Sequence, residues 1–348
     1  MKVLFLVDNP YKALNPYTST LIDGLKSIDC EIYIDWGILK LWEEKVFDFD
    51  IVHIMWPHLL LCRGKFSVKE LFCRIDEIKK RQVKIVSTCH NIVPHYCDET
   101  NAVAAYNIVY SLSDIVLHLG NYSLHLFEKT YPNVKHLLLY HHIYDDRYKK
   151  TITKKTAIKK LHLDKNKRYI LCFGAFRDRE EQILIQNILN NINDDKIRII
   201  APQYCGIGKR SNILYILKFL YYKFKFPKIK MHFGAINDID LPIYFAAADI
   251  LLIQRIKILN SGNVPLGYYL KKVVVGPNIG NVGSILQETG NPVFESNSIT
   301  SVINAIKKGI FLCDNNLGEK NYLFAIEHFS SNAICGKLYD CYKELIKE

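Results

Sequence analysis

The sequence predicts an α/β chain with two doubly wound parallel sheets. Three observations predict it. Short runs of Val, Ile and Leu recur without alternation, the pattern of strands covered on both faces. Amphipathic stretches separate the runs, as crossover helices do. The alternation breaks once, near the middle, in a polar lysine-rich segment. Length agrees, since 348 residues at roughly 100–200 per domain make about two domains. Each half therefore reads as a Rossmann-like domain.

In the first half the apolar runs are residues 3–7, 51–55, 83–87, 115–119 and 134–140. Between them Leu21, Leu25 and Ile28, and then Leu71, Ile75 and Ile78, carry helical spacing. Residues 145–167 read as a linker plus a short helix, and a new sheet starts near Arg168. In the second half the runs are residues 169–173, 197–201, 229–233, 250–253 and 273–276. Ile183, Ile185, Ile188 and Leu189 mark a helix among them. Ile334, Leu338, Cys341, Tyr342 and Leu345 predict a closing helix. The expected division is an N-terminal domain over 1–150, a C-terminal domain over 151–330, and a helix over 331–348 that packs back on the first domain.

Composition narrows the class. At 49% hydrophobic and 23% charged, the chain is neither disordered, fibrous nor a small disulfide scaffold. The opening Met1-Lys2-Val3-Leu4-Phe5-Leu6-Val7-Asp8 reads as a buried strand, its apolar run being too short for a signal core. No uninterrupted apolar stretch approaches the roughly 18 residues of a membrane span. The ten cysteines are scattered without a CxxC pair, which suits reduced core thiols in a cytoplasmic protein and not a zinc site. The 46 Lys and Arg against 35 Asp and Glu leave a net charge of +11. That excess favours an anionic partner: nucleic acid, a membrane surface or a phosphorylated ligand.

Ligands of open α/β sheets bind beyond the carboxyl ends of strands, so the residues after each run are the site candidates. After the first run Asn15 caps a helix whose first turn holds Pro16, and the cap accounts for Asn15 as well as a ligand role does. Trp56-Pro57-His58 either lines a sugar pocket or sets Trp56 under a loop. Cys89-His90-Asn91 puts His90 where a strand meets its loop, and His95 follows. His118 ends the next run, and His141-His142 lies near the linker. That pair lacks companions at metal spacing, so no metal is expected there.

In the second half Gly174 and Arg177 stand at a strand–helix junction, with Arg179 close behind. Arginine there offers a phosphate a fixed charge and a bidentate fork. The alternative is that Glu180 and Glu181 pair with both arginines. Residues 255–263 contain the sharpest feature, Asn260-Ser261-Gly262-Asn263. Amides at Ser261, Gly262 and Asn263 would open a helix and bind an anion, with Arg255 and Lys257 adding charge. No Walker A sequence, GxGxxG, HExxH or GxSxG occurs in the expected setting.

Together these residues resemble the GT-B glycosyltransferases. Within that fold the chain resembles the bacterial family-4-like (glycosyl transferases group 1) enzymes of capsule, O-antigen and exopolysaccharide synthesis. The resemblance covers nearly the whole chain. It rests on Asn15-Pro16-Tyr17, residues 50–57, His90-Asn91-Ile92-Val93-Pro94-His95, Ser113-Asp114, Phe173-Gly174 with Arg177, Ala248-Asp249-Ile250, Asn260-Ser261-Gly262-Asn263 and His328-Phe329-Ser330. It implies two Rossmann-like domains facing a cleft, and a nucleotide-sugar donor held by the second. It implies that Arg177 and the amides of Ser261, Gly262 and Asn263 contact the donor diphosphate. It places the base at the backbone of Ala235 and Ile236, and His90 at the donor sugar. Glu180 stands where the family has a lysine, so Arg179 or Arg255 would supply that charge. The family's paired glutamates are absent, with Ile258 and Leu266 nearest their positions.

The expected chemistry is glycosyl transfer without a metal or cofactor, the protein's own donors meeting the charge of the leaving diphosphate. Asp98 and Glu99 are the candidate general bases if the reaction inverts. Asn15, Trp56, His58, His95, His118 and His142 are the candidates for an acceptor or sugar pocket. The acceptor would be a saccharide or a lipid-linked saccharide. Residues 209–230 mix lysines with aromatic residues, and either lie on an anionic membrane or form a core helix with a solvated basic face. Rival readings are a GT-B sugar-nucleotide epimerase and a basic nucleic-acid-binding protein. Nucleic acid ranks last, because no recognised nucleic-acid module is present.

Overall fold

The computed structural model describes the chain apart from residues 8, 13, 94–99, 145–147, 149–151, 207, 209–211 and 348. It forms two compact units. Unit 1 is Met1–His142 with His328–Glu348, and unit 2 is Ile143–Glu327. The sequence put the boundaries at 150 and 330. His142 is bonded to the Tyr17 carbonyl of unit 1 at 2.9 Å, so the chain belongs to that unit up to this point.

Unit 1 has strands β1 (Lys2–Val7), β2 (Glu31–Trp36), β3 (Ile51–Ile54), β4 (Lys84–Cys89), β5 (Ile115–His118) and β6 (Lys135–Leu138). They pair in parallel in the order β2-β1-β3-β4-β5-β6. Strands β1, β3, β4 and β5 are buried almost throughout, because helices cover both faces. Strand β2 was not expected. It lies at the sheet edge, half exposed, and its sequence Glu-Ile-Tyr-Ile-Asp-Trp alternates as edges do. The helix Pro16–Ser27 is capped by Asn15, whose Oδ1 accepts from the Tyr17 amide. The helix Val68–Lys80 starts in a capping box of Ser67 and Glu70.

The closing helix, Ser331–Leu345, packs on the helix Pro16–Ser27 within unit 1. Its Tyr342 hydroxyl reaches His53 Nδ1 on β3 at 2.5 Å, and His53 Nε2 reaches Thr88 on β4 at 2.7 Å. One buried imidazole thus ties two strands to the last helix.

Unit 2 has strands β7 (Arg168–Leu171), β8 (Ile197–Ile200), β9 (Ile229–Lys230), β10 (Ile250–Leu252), β11 (Val273–Pro277) and β12 (Val293–Phe294). Their order is β12-β11-β10-β7-β8-β9, again all parallel. Strand β9 stops short of the 229–233 run. Its partner β8 ends at Ile200, and beyond it only the Ala201 and His232 amides still bond across before the chain turns at residues 202–205. Strand β12, two residues long, is below what periodicity detects. The expected linker helix is Lys154–Lys160.

Each sheet has one place where the strand order reverses. In unit 1 the chain leaves β1 toward β2 but β3 toward β4, so the reversal lies between β1 and β3. In unit 2 it lies between β7 and β10. The crevice beyond the carboxyl ends of such a strand pair is where open α/β sheets bind ligands.

Candidate functional site

In unit 1 the reversal holds a cavity of about 450 Å³. The loop after β1 contributes Asn9, Lys12, Leu14 and Asn15, and the helix that follows contributes Thr18. The loops after β3 and β4 contribute Trp56, His58, Leu59 and Asn91. Three expected residues, Asn15, Trp56 and His58, are therefore brought together. His58 is fixed by Tyr106, with its Nδ1 at 3.1 Å from the phenol oxygen and the rings stacked. Asn15 keeps its Oδ1 on the helix cap, which leaves its amide nitrogen for a ligand. Thr18 was missed. It is 1% exposed, and its hydroxyl has no hydrogen-bond partner among the described residues. A threonine one turn into a helix carries no sequence signal; only the cavity singles it out.

His90 stands behind this wall. Its ring is stacked on Trp56 at 5.4 Å and meets Tyr17 edge-on at 4.9 Å. Burial pushes its imidazole down to about 4, so it is neutral at pH 7. His90 orients Trp56 and can hydrogen-bond as a neutral ring.

Two expected pocket residues lie elsewhere. His118 Nδ1 is 3.1 Å from the Ser123 hydroxyl, and its Nε2 is 3.1 Å from His136. It is fully buried and ties β5 to β6 and the following helix. His142 stacks on Tyr17 at 4.8 Å and bonds that residue's carbonyl, bracing the start of the helix Pro16–Ser27. Both rings are buried, and buried polar rings need partners, which each of them has within unit 1. His95, Asp98 and Glu99 lie outside the described residues.

In unit 2 the reversal joins the loop after β7 to the loop after β10. The Asn263 side-chain amide donates to the Phe173 carbonyl at 2.9 Å. Arg255 Nη2 donates to the Ala175 carbonyl at 3.3 Å. Gly174 sits between them at φ +101°, a conformation that favours glycine, and a side chain there would meet Arg255 only in ordinary contact, so the backbone and not crowding calls for glycine. So Gly174, Arg255 and Asn263 form one cluster. Ser261 and Gly262 precede the helix Asn263–Tyr269. The Asn263 amide already donates to the Ser261 hydroxyl at 3.3 Å, so it is not free as expected. The amides of Ser261 and Gly262 have no partner among the described residues.

The charges differ from expectation. Arg255 does not offer an uncompensated cation. Its Nε lies 3.4 Å from Glu181, which is 3% exposed. Burial raises the Glu181 carboxyl above its usual range, and the Arg255 charge offsets that only in part. The other Glu181 oxygen accepts the Arg177 amide at 3.2 Å. Glu180 pairs with Lys257 at 3.0 Å. A buried carboxylate requires a cation; Arg255 acts on it most strongly, and Arg177 adds a weaker pull. Arg177 and Arg179 are exposed, so their guanidinium charge remains for a ligand. Gln254, 1% exposed, was missed; its side-chain nitrogen is buried without a partner among the described residues. Ile258 and Leu266, at the positions of the absent glutamates, are buried apolar side chains.

Ala235 and Ile236 follow β9, beyond Gly234 at φ +91°. The Gly234 amide donates to the Tyr215 hydroxyl at 3.2 Å, which fixes where that loop leaves the sheet. Among the described residues no three His, Cys, Asp or Glu side chains converge as a metal ion needs.

No family model and no curated protein matches the chain. Solved structures do. The chain is similar to sucrose-phosphate synthase from Thermosynechococcus elongatus, with TM-score 0.72, 12% identity and 99% of each chain covered. It is similar to HepE from Anabaena in complex with UDP, with TM-score 0.70, 14% identity, and 99% of this chain and 100% of that one covered. It is similar to a glycosyltransferase from Rickettsia africae, with TM-score 0.69, 14% identity, and coverage of 100% and 99%. At such identities the likeness speaks for architecture, and both sheets and nearly every residue take part in it. The chain has the GT-B fold.

Proposed function

We propose that the protein is a glycosyltransferase that moves a sugar from a nucleoside-diphosphate sugar to a saccharide acceptor. The cluster at the unit 2 strand reversal carries the reading. There Gly174, Arg255 and Asn263 meet beside the unpartnered amides of Ser261 and Gly262, and the exposed Arg177 follows on the same loop, an arrangement that suits a diphosphate. The leaving group is the nucleoside diphosphate. Arg177 and the amides of Ser261 and Gly262 stabilise its developing charge, and no metal ion is required. Arg255, held by Glu181, fixes the loop that presents them. Gln254 gives the donor a further hydrogen bond. In unit 1 Trp56 offers an apolar platform, with Asn15, Thr18, His58 and Asn91 as polar contacts around it. Neutral His90 holds that platform in place. The UDP in HepE favours a uridine donor here.

The acceptor is a saccharide, carried on a lipid, of capsule, O-antigen or exopolysaccharide assembly. The enzyme then works in the cytoplasm, at the inner face of the membrane.

A thermal-shift panel of UDP-, GDP- and dTDP-sugars tests the reading, because a ligand that binds only the native state raises the melting temperature. Arg177→Ala lowers turnover by about 100-fold, the usual loss when one charge-stabilising donor is removed. Unchanged donor affinity and turnover in Arg177→Ala would sink the assignment.

A further inference from the structure

The helix Ile213–Lys225 turns an apolar face to solvent. Ile213, Leu214, Leu217, Leu220, Tyr221 and Phe224 are each more than half exposed, Phe224 to 90%. At about 100° per residue these six fall in an arc of about 120°. The opposite side sets Tyr215, Phe219 and Tyr222 against the unit 2 core. Both sides of the helix are therefore apolar, and only one is covered. Lysines border the open face: Lys218 and Lys225 along one edge, Lys223 along the other. No Asp or Glu occurs from residue 212 to residue 237.

We propose that this face docks on an anionic bilayer. The apolar side chains enter the acyl boundary, and the lysines at its borders meet lipid phosphates. Length fits a helix lying in the surface plane. Thirteen residues make about 20 Å, short of the roughly 30 Å of a hydrocarbon core. Among the described residues no helix is long and apolar enough to cross a membrane. Charge selects the lipid over a second copy of the chain, since pairing this face with itself would bring lysine borders together. Leu and Ile at the centre of the face select lipid over a nucleic acid, whose phosphates and bases offer aliphatic side chains no partner. The docking depends on the transferase reading only for its purpose, which is to bring the enzyme to a lipid-linked acceptor.

Vesicle flotation tests it with the full chain at low salt. Phosphatidylcholine vesicles with about 30% phosphatidylglycerol should carry the protein up, and pure phosphatidylcholine should carry much less. Leu217→Glu with Phe224→Glu should cut binding at least about tenfold. Both positions are exposed, so the fold should persist, as circular dichroism would confirm. Lys218→Gln with Lys223→Gln and Lys225→Gln should remove the dependence on phosphatidylglycerol. The proposal fails if the natural chain does not float, or if the glutamate variant floats equally well. It also fails if the variant only converts a dimer to a monomer, or only abolishes oligonucleotide binding. The thermal response to UDP, read without vesicles, separates the two readings. Its loss with flotation intact counts against sugar transfer alone.

Discussion

Glu181 is buried and lies 3.4 Å from the Arg255 guanidinium, while its second oxygen holds the Arg177 amide. Glu181→Gln keeps an acceptor for that amide and removes the charge. Arg255 is then left partly buried without its counter-ion. The expected loss is at most about 1–2 kcal/mol, because burial already holds the Glu181 carboxyl above its usual range and neutralising it recovers part of that cost. Urea unfolding measures it, and Glu181→Gln with Arg255→Met should recover part of the loss. Equal stability of the single variant and the natural chain would remove Glu181 from the account. Thr18→Val probes the other unit. It deletes a buried hydroxyl that has no partner and keeps the shape, so stability should hold or rise by about 1 kcal/mol. If Thr18 contacts the acceptor, the acceptor KM should rise in the same variant. A large loss of stability with unchanged KM would make Thr18 structural. The sequence displayed Arg177 and Gly174 plainly, because glycine and arginine after a strand form a known pattern. It could not display Thr18 or Gln254, which became distinctive only by being buried unpaired.

At the scale of elements, two helices far apart in sequence meet at Gly24. A side chain there would lie 2.4 Å from Cys335 Sγ on the closing helix. Gly24→Ala gains about 1 kcal/mol of helix propensity, yet the clash should outweigh it by a further 1–3 kcal/mol. Adding Cys335→Ala should reverse the sign by making room. Thermal unfolding of the single and double variants checks this, and a stabilised Gly24→Ala would show that the helices slide apart freely. The sequence announced both helices through their apolar spacing. It did not announce their contact, since a glycine within a helix is read as a cost until its neighbour is known. Strand β2 makes a similar point. The expected strands were unbroken apolar runs buried on both faces, whereas β2 pairs only with β1 and keeps one row of side chains toward solvent.

For the molecule as a whole, the buried histidines set the response to acid. Burial holds His53, His118 and His141 down to about 3, and His90 to about 4. All four lie in unit 1. The folded state keeps them neutral, whereas the unfolded chain protonates them near pH 6.5. Their contribution is therefore complete above about pH 6.5 and falls as pH drops toward 4, by about 1.4 kcal/mol per pH unit for each ring. All three tryptophans, Trp36, Trp42 and Trp56, also lie in unit 1, so their fluorescence reports its unfolding. The urea midpoint should fall steeply between pH 7 and pH 5. A flat midpoint would mean that these rings are solvated in the folded state.

The sequence by itself determined the two parallel sheets, the break between them, the closing helix and the glycine–arginine loop. Those features are local: apolar runs, helical periods and turn residues act within a few positions of one another. Only the tertiary structure decided the order of the strands, and with it the two reversals that gather Trp56 with Asn15 and Arg255 with Gly174. It alone moved His118 and His142 out of the pocket and gave Arg255 a buried counter-ion. It alone showed that one face of a basic aromatic helix is left uncovered. Partnership and burial depend on residues tens to hundreds of positions away, and a buried polar group takes whichever partner the fold brings within reach.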